Sequence, residues 1–299
     1  MPSKFKIHSA LLLVGLIYGA NYSIAKILMP AYIGPFGIIF LRVFIGTGLY
    51  WLIGLIAGAE KIQYSRDYLR FAGLAIVGVA VNQLMFFKGL SMTTPISASA
   101  IMTISPISVL IVSYFVLREK ISRNKIIGIG LGSTGAVLLI GIDGFSMTSA
   151  TFTGNLFILI NAISFSIYLV LVKPLMYRYK AITVIKWVFF FGMFFVLPFG
   201  FSEFMLIDWS TLTTDAWLSL AYIIIGTTFI AYLLNTWALQ YVSPSVVGYY
   251  IYLQPVFATI IAIIFRGDDL TIEEAIYALL IFAGVYLVSF KKTVVVKQS

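Results

Sequence analysis

Apolar runs of about twenty residues follow one another along nearly the whole chain, and this feature limits the possible folds most. A helix needs roughly 20 mostly apolar residues to cross a hydrocarbon core about 30 Å thick. Ten such runs are read from the sequence: Ser9 to Leu28, Gly34 to Ala57, Leu69 to Leu90, Pro95 to Leu117, Ile126 to Ile142, Gly154 to Leu175, Val184 to Phe201, Ala216 to Gln240, Pro244 to Phe265 and Ile272 to Phe290. The spacing predicts an all-α integral membrane protein of ten transmembrane helices. A transmembrane barrel would alternate apolar and polar residues in short strands, which these runs do not. Charged residues make up only 10% of the chain, against about 25% in soluble domains.

The charges sort by connection. Of the 20 Lys and Arg residues, 16 fall on alternate connections: Lys4 and Lys6; Lys61, Arg66 and Arg70; Arg118, Lys120, Arg123 and Lys125; Lys173, Arg178, Lys180 and Lys186; Lys291, Lys292 and Lys297. The opposite connections carry Asp143, Glu203, Asp208, Asp215, Asp268, Asp269, Glu273 and Glu274. Because basic loops stay in the cytoplasm, both termini are expected there. Membrane orientation, not nucleic acid, thus accounts for most of the +9 net charge.

An offset of 149 residues superimposes Leu90 on Leu239, Pro95 on Pro244, Pro106 on Pro255, Glu119 on the acid Asp268 and Gly135 on Gly284. Equivalent positions are five spans apart, an odd number, so the second copy is expected upside down relative to the first. The repeats are read as residues 1-147 and 148-299. Inverted repeats build substrate sites at their interface near the bilayer midplane and open them alternately to each side.

Three cations lie within predicted spans. Lys26, near a helix end, is read as snorkelling to the interface. Arg42 lies eight residues deep in the second span. Lys88, beside Gly89, is the preferred cation for a cavity, where an unpaired ammonium would select a small-molecule substrate that is anionic or zwitterionic. Polar stripes at helical spacing add Asn161, Ser164 and Tyr168 in the sixth span and Ser99 and Thr103 in the fourth. The repeat offset carries Thr103 onto Tyr252, and Asn21, Asn82 and Asn235 complete the candidates. For each of these the competing role is an ordinary interhelical hydrogen bond. Pro106 and Pro255, near mid-helix, are read as paired kinks and candidate hinges.

Other signals exclude chemistry. The chain has no cysteine and one histidine, His8, so no metal or nucleophilic constellation is expected, no cofactor is called for, and catalysis is not anticipated. Gly130-Leu-Gly132-Ser-Thr-Gly135 matches a dinucleotide pattern but lies inside an apolar span; with Gly128 it makes a small-residue packing face. Asn21-Tyr22-Ser23 matches a glycosylation acceptor inside a span and is discarded.

The stretch GLSMTTPISASAIMTISPISVLIVSYFVLREKISRNKIIGIGLGSTGAVLL, Gly89 to Leu139, resembles the signature of the EamA family of the drug/metabolite transporter superfamily: a Leu before a Thr-rich turn, a mid-helix Pro and a Leu-x-Glu exit. Tyr18-Gly19-Ala20-Asn21 and Phe165-Ser166-Ile167-Tyr168 stand where family members often carry Trp-Gly-x-Asn and Trp-Ala-x-Tyr. The resemblance implies a cavity lined by the first, third, fourth, sixth, eighth and ninth spans, with the second peripheral and the fifth and tenth set behind. It implies a bacterial inner-membrane exporter of small metabolites such as amino acids or related carboxylates. A sugar-phosphate or other organic-anion exchanger and a lipid-substrate flippase are the alternatives; substrate, coupling ion and oligomeric state are not legible.

Overall fold

The computed structural model describes residues 2–140, 149–266 and 272–289. The loop charges Asp143, Asp268, Asp269, Lys291, Lys292 and Lys297 lie outside the described residues, and with them the pairing of Glu119 with Asp268. Every described element is helical: α1 (Lys4–Leu28), α2 (Pro35–Ile56), α3 (Ser65–Ala75), α4 (Asn82–Met92), α5 (Pro95–Met102), α6 (Ser105–Leu117), α7 (Arg123–Ile140), α8 (Ser149–Val172), α9 (Ala181–Met205), α10 (Thr214–Ala221), α11 (Tyr232–Tyr241), α12 (Pro244–Tyr249), α13 (Leu253–Arg266) and α14 (Ile272–Ser289). Short turns and π-helical segments join some of these into longer rods.

Helix starts follow local chemistry. Thr94 accepts from the Ser97 amide at 3.1 Å, with Pro95 in the first turn of α5, so a hydroxyl and an imino acid cover amides that have no intrahelical partner. Pro35 and Pro244 likewise stand in the first turns of α2 and α12, without a side-chain cap.

Among the described residues, eight rods are long and apolar enough to cross a membrane: Lys4–Leu28, Pro35–Ile56, Ser65–Met92, Pro95–Leu117, Thr151–Tyr177, Ala181–Met205, Thr214–Tyr241 and Pro244–Ile261. They correspond to eight of the ten expected spans. The helices α7 and α14 occupy the fifth and tenth positions. Large apolar side chains such as Leu55, Phe115 and Leu279 face outward and are at least two-thirds exposed, a surface suited to lipid rather than water.

Two antiparallel pairs flank the bundle. In one, α2 runs along α9, and each helix start is met by a carboxylate from the other end of the pair. Glu203 accepts from the Phe36 and Gly37 amides at 2.8 and 2.9 Å. Glu60 accepts from the Lys180 amide at 2.7 Å and the Thr183 hydroxyl at 3.0 Å. In the other pair α7 crosses α14 at glycine: a Cβ at Gly135 would sit 2.7 Å from the Tyr277 carbonyl, and one at Gly284 would sit 2.6 Å from the Gly128 carbonyl. The small-residue face is therefore a crossing point.

Between these pairs α1 packs on α11 and α13, while α8 packs on α4 and α6. The rods of the third and eighth spans each contain a π-helical segment, Ile76–Val81 and Tyr222–Ala231. The wider turn leaves backbone groups that side chains satisfy: Ser164 donates to the Val77 carbonyl at 2.6 Å, and Thr227 and Thr228 donate to the Ile223 carbonyl at 2.6 and 2.9 Å. The fourth and ninth rods are interrupted at Thr103–Ile104 and Tyr250–Tyr252. Pro106 and Pro255 follow those breaks by two and three residues.

A candidate substrate cavity between the helices

Where α1, α4, α8 and α11 converge, side chains border about 520 Å³ of space not filled by protein atoms, part of it open to the outside. Tyr18, Asn21 and Tyr22 reach it from α1, one turn of small residues (Gly19, Ala20) allowing close approach: a Cβ at Gly19 would lie 2.8 Å from the Gln254 carbonyl. Asn82, Gln83 and Phe86 come from α4, Asn161 and Phe165 from α8. A second hollow of about 270 Å³ shares Tyr18, Phe165 and Gln254 with the first and adds Asn235.

Arg42 is the one charged residue among those lining the larger cavity. It is 4% exposed, its Nε donates to Thr228 Oγ1 at 2.8 Å, and its guanidinium carbon stands 4.9 Å from the Phe87 ring centroid. Among the described residues no carboxylate pairs with it, and its other hydrogen-bonding nitrogens, Nη1 and Nη2, have no protein acceptor. Tyr50 braces this corner by donating to the Thr228 backbone carbonyl. A buried cation without a counter-ion costs several kcal/mol, so the bundle holds a charge that an anion in the cavity would neutralise.

An amide network forms a further wall. Asn161 Nδ2 donates to the Asn82 carbonyl at 2.7 Å, and Asn82 Nδ2 returns a longer bond to the Asn161 carbonyl at 3.4 Å. Tyr232 donates to Asn82 Oδ1 at 3.2 Å and therefore accepts from Gln83 Nε2 at 3.3 Å. Tyr22 donates to Gln254 Oε1 at 3.0 Å.

The expected candidates thus divide. Asn21, Asn82 and Asn161 meet at the cavity, and Asn235 lines its annex. Ser99 and Thr103 bond carbonyls of their own helix, at Ile96 and Ala100. Tyr168 packs against Gly78, and Tyr252 meets Ser133 at 2.8 Å with its ring on Gly132; neither tyrosine lines the cavity. Lys88 does not line it either: its ammonium lies 5.8 Å from the Phe36 ring centroid. The reason is angular, since Gln83 and Phe86 take the inward face of α4 and Lys88 falls outside it. Lys26 reaches the Ser91 carbonyl at 3.5 Å rather than only the interface. Sequence reasoning set Arg42 aside because the second span was taken as peripheral, and it passed over Gln83, Tyr232 and Gln254. Gln83 and Tyr232 are themselves 149 residues apart, the repeat offset, so the signal was present.

Away from the membrane-spanning segments, burial and, more weakly, Asp67 push the Tyr179 phenol above its usual range. It stays protonated and donates to Asp67 at 2.9 Å. Asp67, fully buried, also receives Arg70 at 2.9 Å and Arg178 at 3.2 Å.

Comparison with known proteins agrees with this architecture. The model of the EamA-like transporter family matches residues 5–141 and again residues 152–290. An uncharacterized transporter of Archaeoglobus fulgidus is 25% identical over 96% of this chain and 98% of its own. The uncharacterized transporter YetK of Bacillus subtilis is 26% identical over 84% of this chain and 80% of its own. Protein WALLS ARE THIN 1 of Arabidopsis thaliana is 24% identical, covering 98% and 85% respectively. A protein of known crystal structure superimposes with a TM-score of 0.74 at 19% identity, covering 94% of this chain and 98% of its own, a likeness of fold. The chain is a multi-pass membrane transporter and belongs to the EamA-like transporter family of the drug/metabolite transporter superfamily.

Proposed function

We propose that the protein exports small anionic or zwitterionic metabolites, such as amino acids or related carboxylates, by alternating access of the cavity around Arg42. One observation carries the substrate reading: among the described residues the only charge lining the cavity is a buried guanidinium with unused donors, and it has no carboxylate partner there. A planar fork of N–H groups matches a carboxylate in two places at once. The same observation disfavours cationic cargo, which would meet like charge in a low-dielectric space.

The reading of ten spans in two inverted repeats, residues 1-147 and 148-299 with both termini cytoplasmic, belongs to this proposal. It is supported by features that recur at equivalent places: the π-helical segments of the third and eighth rods, the breaks before Pro106 and Pro255, and the reciprocal carboxylates Glu203 and Glu60. An inner or plasma membrane location accompanies it. The two helix breaks are where one half would pivot on the other.

The test is uptake into proteoliposomes of a panel of amino acids, organic acids, sugar phosphates and aromatic amines, by the native protein and by Arg42→Gln, Arg42→Lys and Lys88→Ala. Uptake of acids or zwitterions is expected to fall at least about tenfold in Arg42→Gln, since a hydrogen-bonded ion pair is worth about 1.5–3 kcal/mol. Arg42→Lys should recover part of it, and Lys88→Ala should transport like the native protein. Transport of aromatic amines alone, or full activity in Arg42→Gln, would refute this function.

A further inference from the structure

Away from the cavity, the flanking pair of α2 and α9 holds a second cation without a protein counter-ion. Lys186 lies five residues past the start of α9, ~7.5 Å inside it at 1.5 Å per residue. Its stem passes Gly54, where a Cβ would meet Lys186 Cδ at 3.4 Å. The ammonium stands 4.7 Å from the Trp51 ring centroid and 5.8 Å from that of Trp187, and Tyr68 packs edge-on against Trp187 with centroids 4.9 Å apart. Among the described residues Lys186 makes no hydrogen bond and no ion pair. Lys186, Trp51 and Trp187 are only part-buried and Tyr68 is exposed, so the group can be reached from outside the bundle.

The carboxylates nearby in sequence are committed elsewhere. Glu60 serves the Lys180 amide and the Thr183 hydroxyl, and Asp67 serves Arg70, Arg178 and Tyr179. Residues 57–70 and 178–186 together carry six bases (Lys61, Arg66, Arg70, Arg178, Lys180 and Lys186) against those two acids. The 149-residue offset sharpens the contrast, since it carries Gly37 onto Lys186 and Gly54 onto Glu203. At the equivalent place the side chain packed on glycine is an acid, and the protein uses it internally through the Phe36 and Gly37 amides. Here it is a cation, and aromatic faces attract a cation without neutralising it.

A line of rings leads from this charge along α9. Trp51 and Trp187 meet Phe190 at 5.7 and 5.6 Å, and Phe190 meets Phe194 at 5.3 Å. Phe194 is eight residues beyond Lys186, ~12 Å further into the apolar span. It is exposed, as are Leu52 and Leu55 beside Trp51. A lysine near a helix end ordinarily extends its ammonium toward water; this one is fixed on indole rings at the head of an open apolar strip. That order of parts, positive at interface depth and apolar below, matches the polarity of a phospholipid.

We infer that Lys186, Trp51, Trp187 and Tyr68 form a binding site for the headgroup phosphate of an anionic phospholipid, with an acyl chain lying along Phe190 and Phe194. The leaflet is the one that meets the basic connections. A zwitterionic lipid brings its own cation into a surface that already has an excess of positive charge, whereas an anionic lipid offsets that excess. The site is separate from the cavity and makes no demand on the identity of the cargo.

The experiment mixes the full-length protein in detergent with equimolar phosphatidylglycerol and phosphatidylcholine of the same chain length and reads the ratio of one-lipid adducts by native mass spectrometry. The native protein is expected to favour phosphatidylglycerol about fivefold. Lys186→Gln should bring the ratio close to one, and Lys186→Arg should preserve it. Lys61→Gln, which removes an exposed charge from the same connection, should preserve it as well. Phosphatidylglycerol should also raise the unfolding midpoint of the native protein and of Lys186→Arg more than phosphatidylcholine does, a readout that stands even if Lys186→Gln folds poorly. Equal retention of the two lipids by the native protein would overturn the site. An equal loss in Lys61→Gln and Lys186→Gln would assign the preference to general surface charge and overturn it too. Displacement of phosphatidylglycerol by millimolar inorganic phosphate would show an anion site with no role for the acyl chain, and the lipid assignment would fall.

Discussion

At the scale of single residues, this chain places charge in the bundle in two ways. Arg42 is a charge with no counter-ion among the described residues, held by a hydroxyl and an aromatic face. Asp67 is the reverse, a fully buried carboxylate satisfied three times over by Arg70, Arg178 and Tyr179. It joins α3 to the segment before α9. Removing its charge in Asp67→Asn keeps the packing but leaves two guanidinium groups without their acceptor. Both arginines are roughly half exposed, so water screens much of the loss, and a destabilisation of about 1–2 kcal/mol is expected. It should appear as a lower unfolding midpoint in detergent, with substrate selectivity unchanged; an unaltered midpoint would show the cluster contributes nothing to stability. Residue-level legibility followed the same division. Asn21, Asn82 and Asn161 stood out because an amide in an apolar run is conspicuous. Lys88 stood out for the same reason and lies off the cavity, because a depth along a helix does not give a direction around it. Arg42 was equally visible as a residue, and only the assumption that its helix is peripheral kept it from the site.

At the scale of helices, close contact is built from glycine. Gly89 and Gly154 face each other where α4 crosses α8: a Cβ at Gly89 would lie 2.8 Å from the Gly154 carbonyl, and one at Gly154 would lie 2.9 Å from the Gly89 carbonyl. Backbone atoms cannot swing aside as a side-chain tip can, so the helices would have to separate. Asn82 and Asn161 stand on these same two helices and bond to each other's carbonyls. Gly154→Ala is therefore expected to cost about 1–3 kcal/mol and also to loosen the amide wall, lowering both the unfolding midpoint and substrate affinity. A substitution that lowers stability alone would separate the crossing from the site. Helix positions were readable because runs of apolar residues announce themselves, and the prolines announced the breaks in the fourth and ninth rods. The π-helical segments were not readable: one depends on Ser164 reaching across from α8 to the distant Val77 carbonyl, and the local bonds of Thr227 and Thr228 to Ile223 are ones threonine also makes in ordinary helices.

At the scale of the whole molecule, the distribution of Lys and Arg predicts which loops share a compartment, and a chain without cysteine makes that easy to test. A single cysteine at Ser122, in a basic connection, should resist a membrane-impermeant maleimide in intact cells, while one at Ser210, in an acidic connection, should be labelled; the reverse pattern would invert the orientation. Two lysines then bear on how the halves move. Lys173, 6% exposed, donates to the carbonyls of Leu239, Gln240 and Val242 at 2.5, 3.4 and 3.0 Å, closing the end of α11, where free carbonyls and the helix dipole favour a cation. Lys26 stands in the same relation to α4, 147 residues earlier, but holds one carbonyl, Ser91, at 3.5 Å. One member of a matched pair is engaged and the other nearly released. A transporter that exposes its cavity alternately requires two arrangements of similar energy, and exchanging a tight cap at one mouth for a tight cap at the other costs little net hydrogen bonding. Spin labels at Leu171 and Tyr241 beside the Lys173 cap, and at Ile27 and Ile96 beside the Lys26 cap, would follow this. Substrate under turnover conditions should populate a longer distance in the first pair together with a shorter one in the second. If one pair changes while the other stays fixed, the lysines do not trade places, and the asymmetry between them is a static property of the fold.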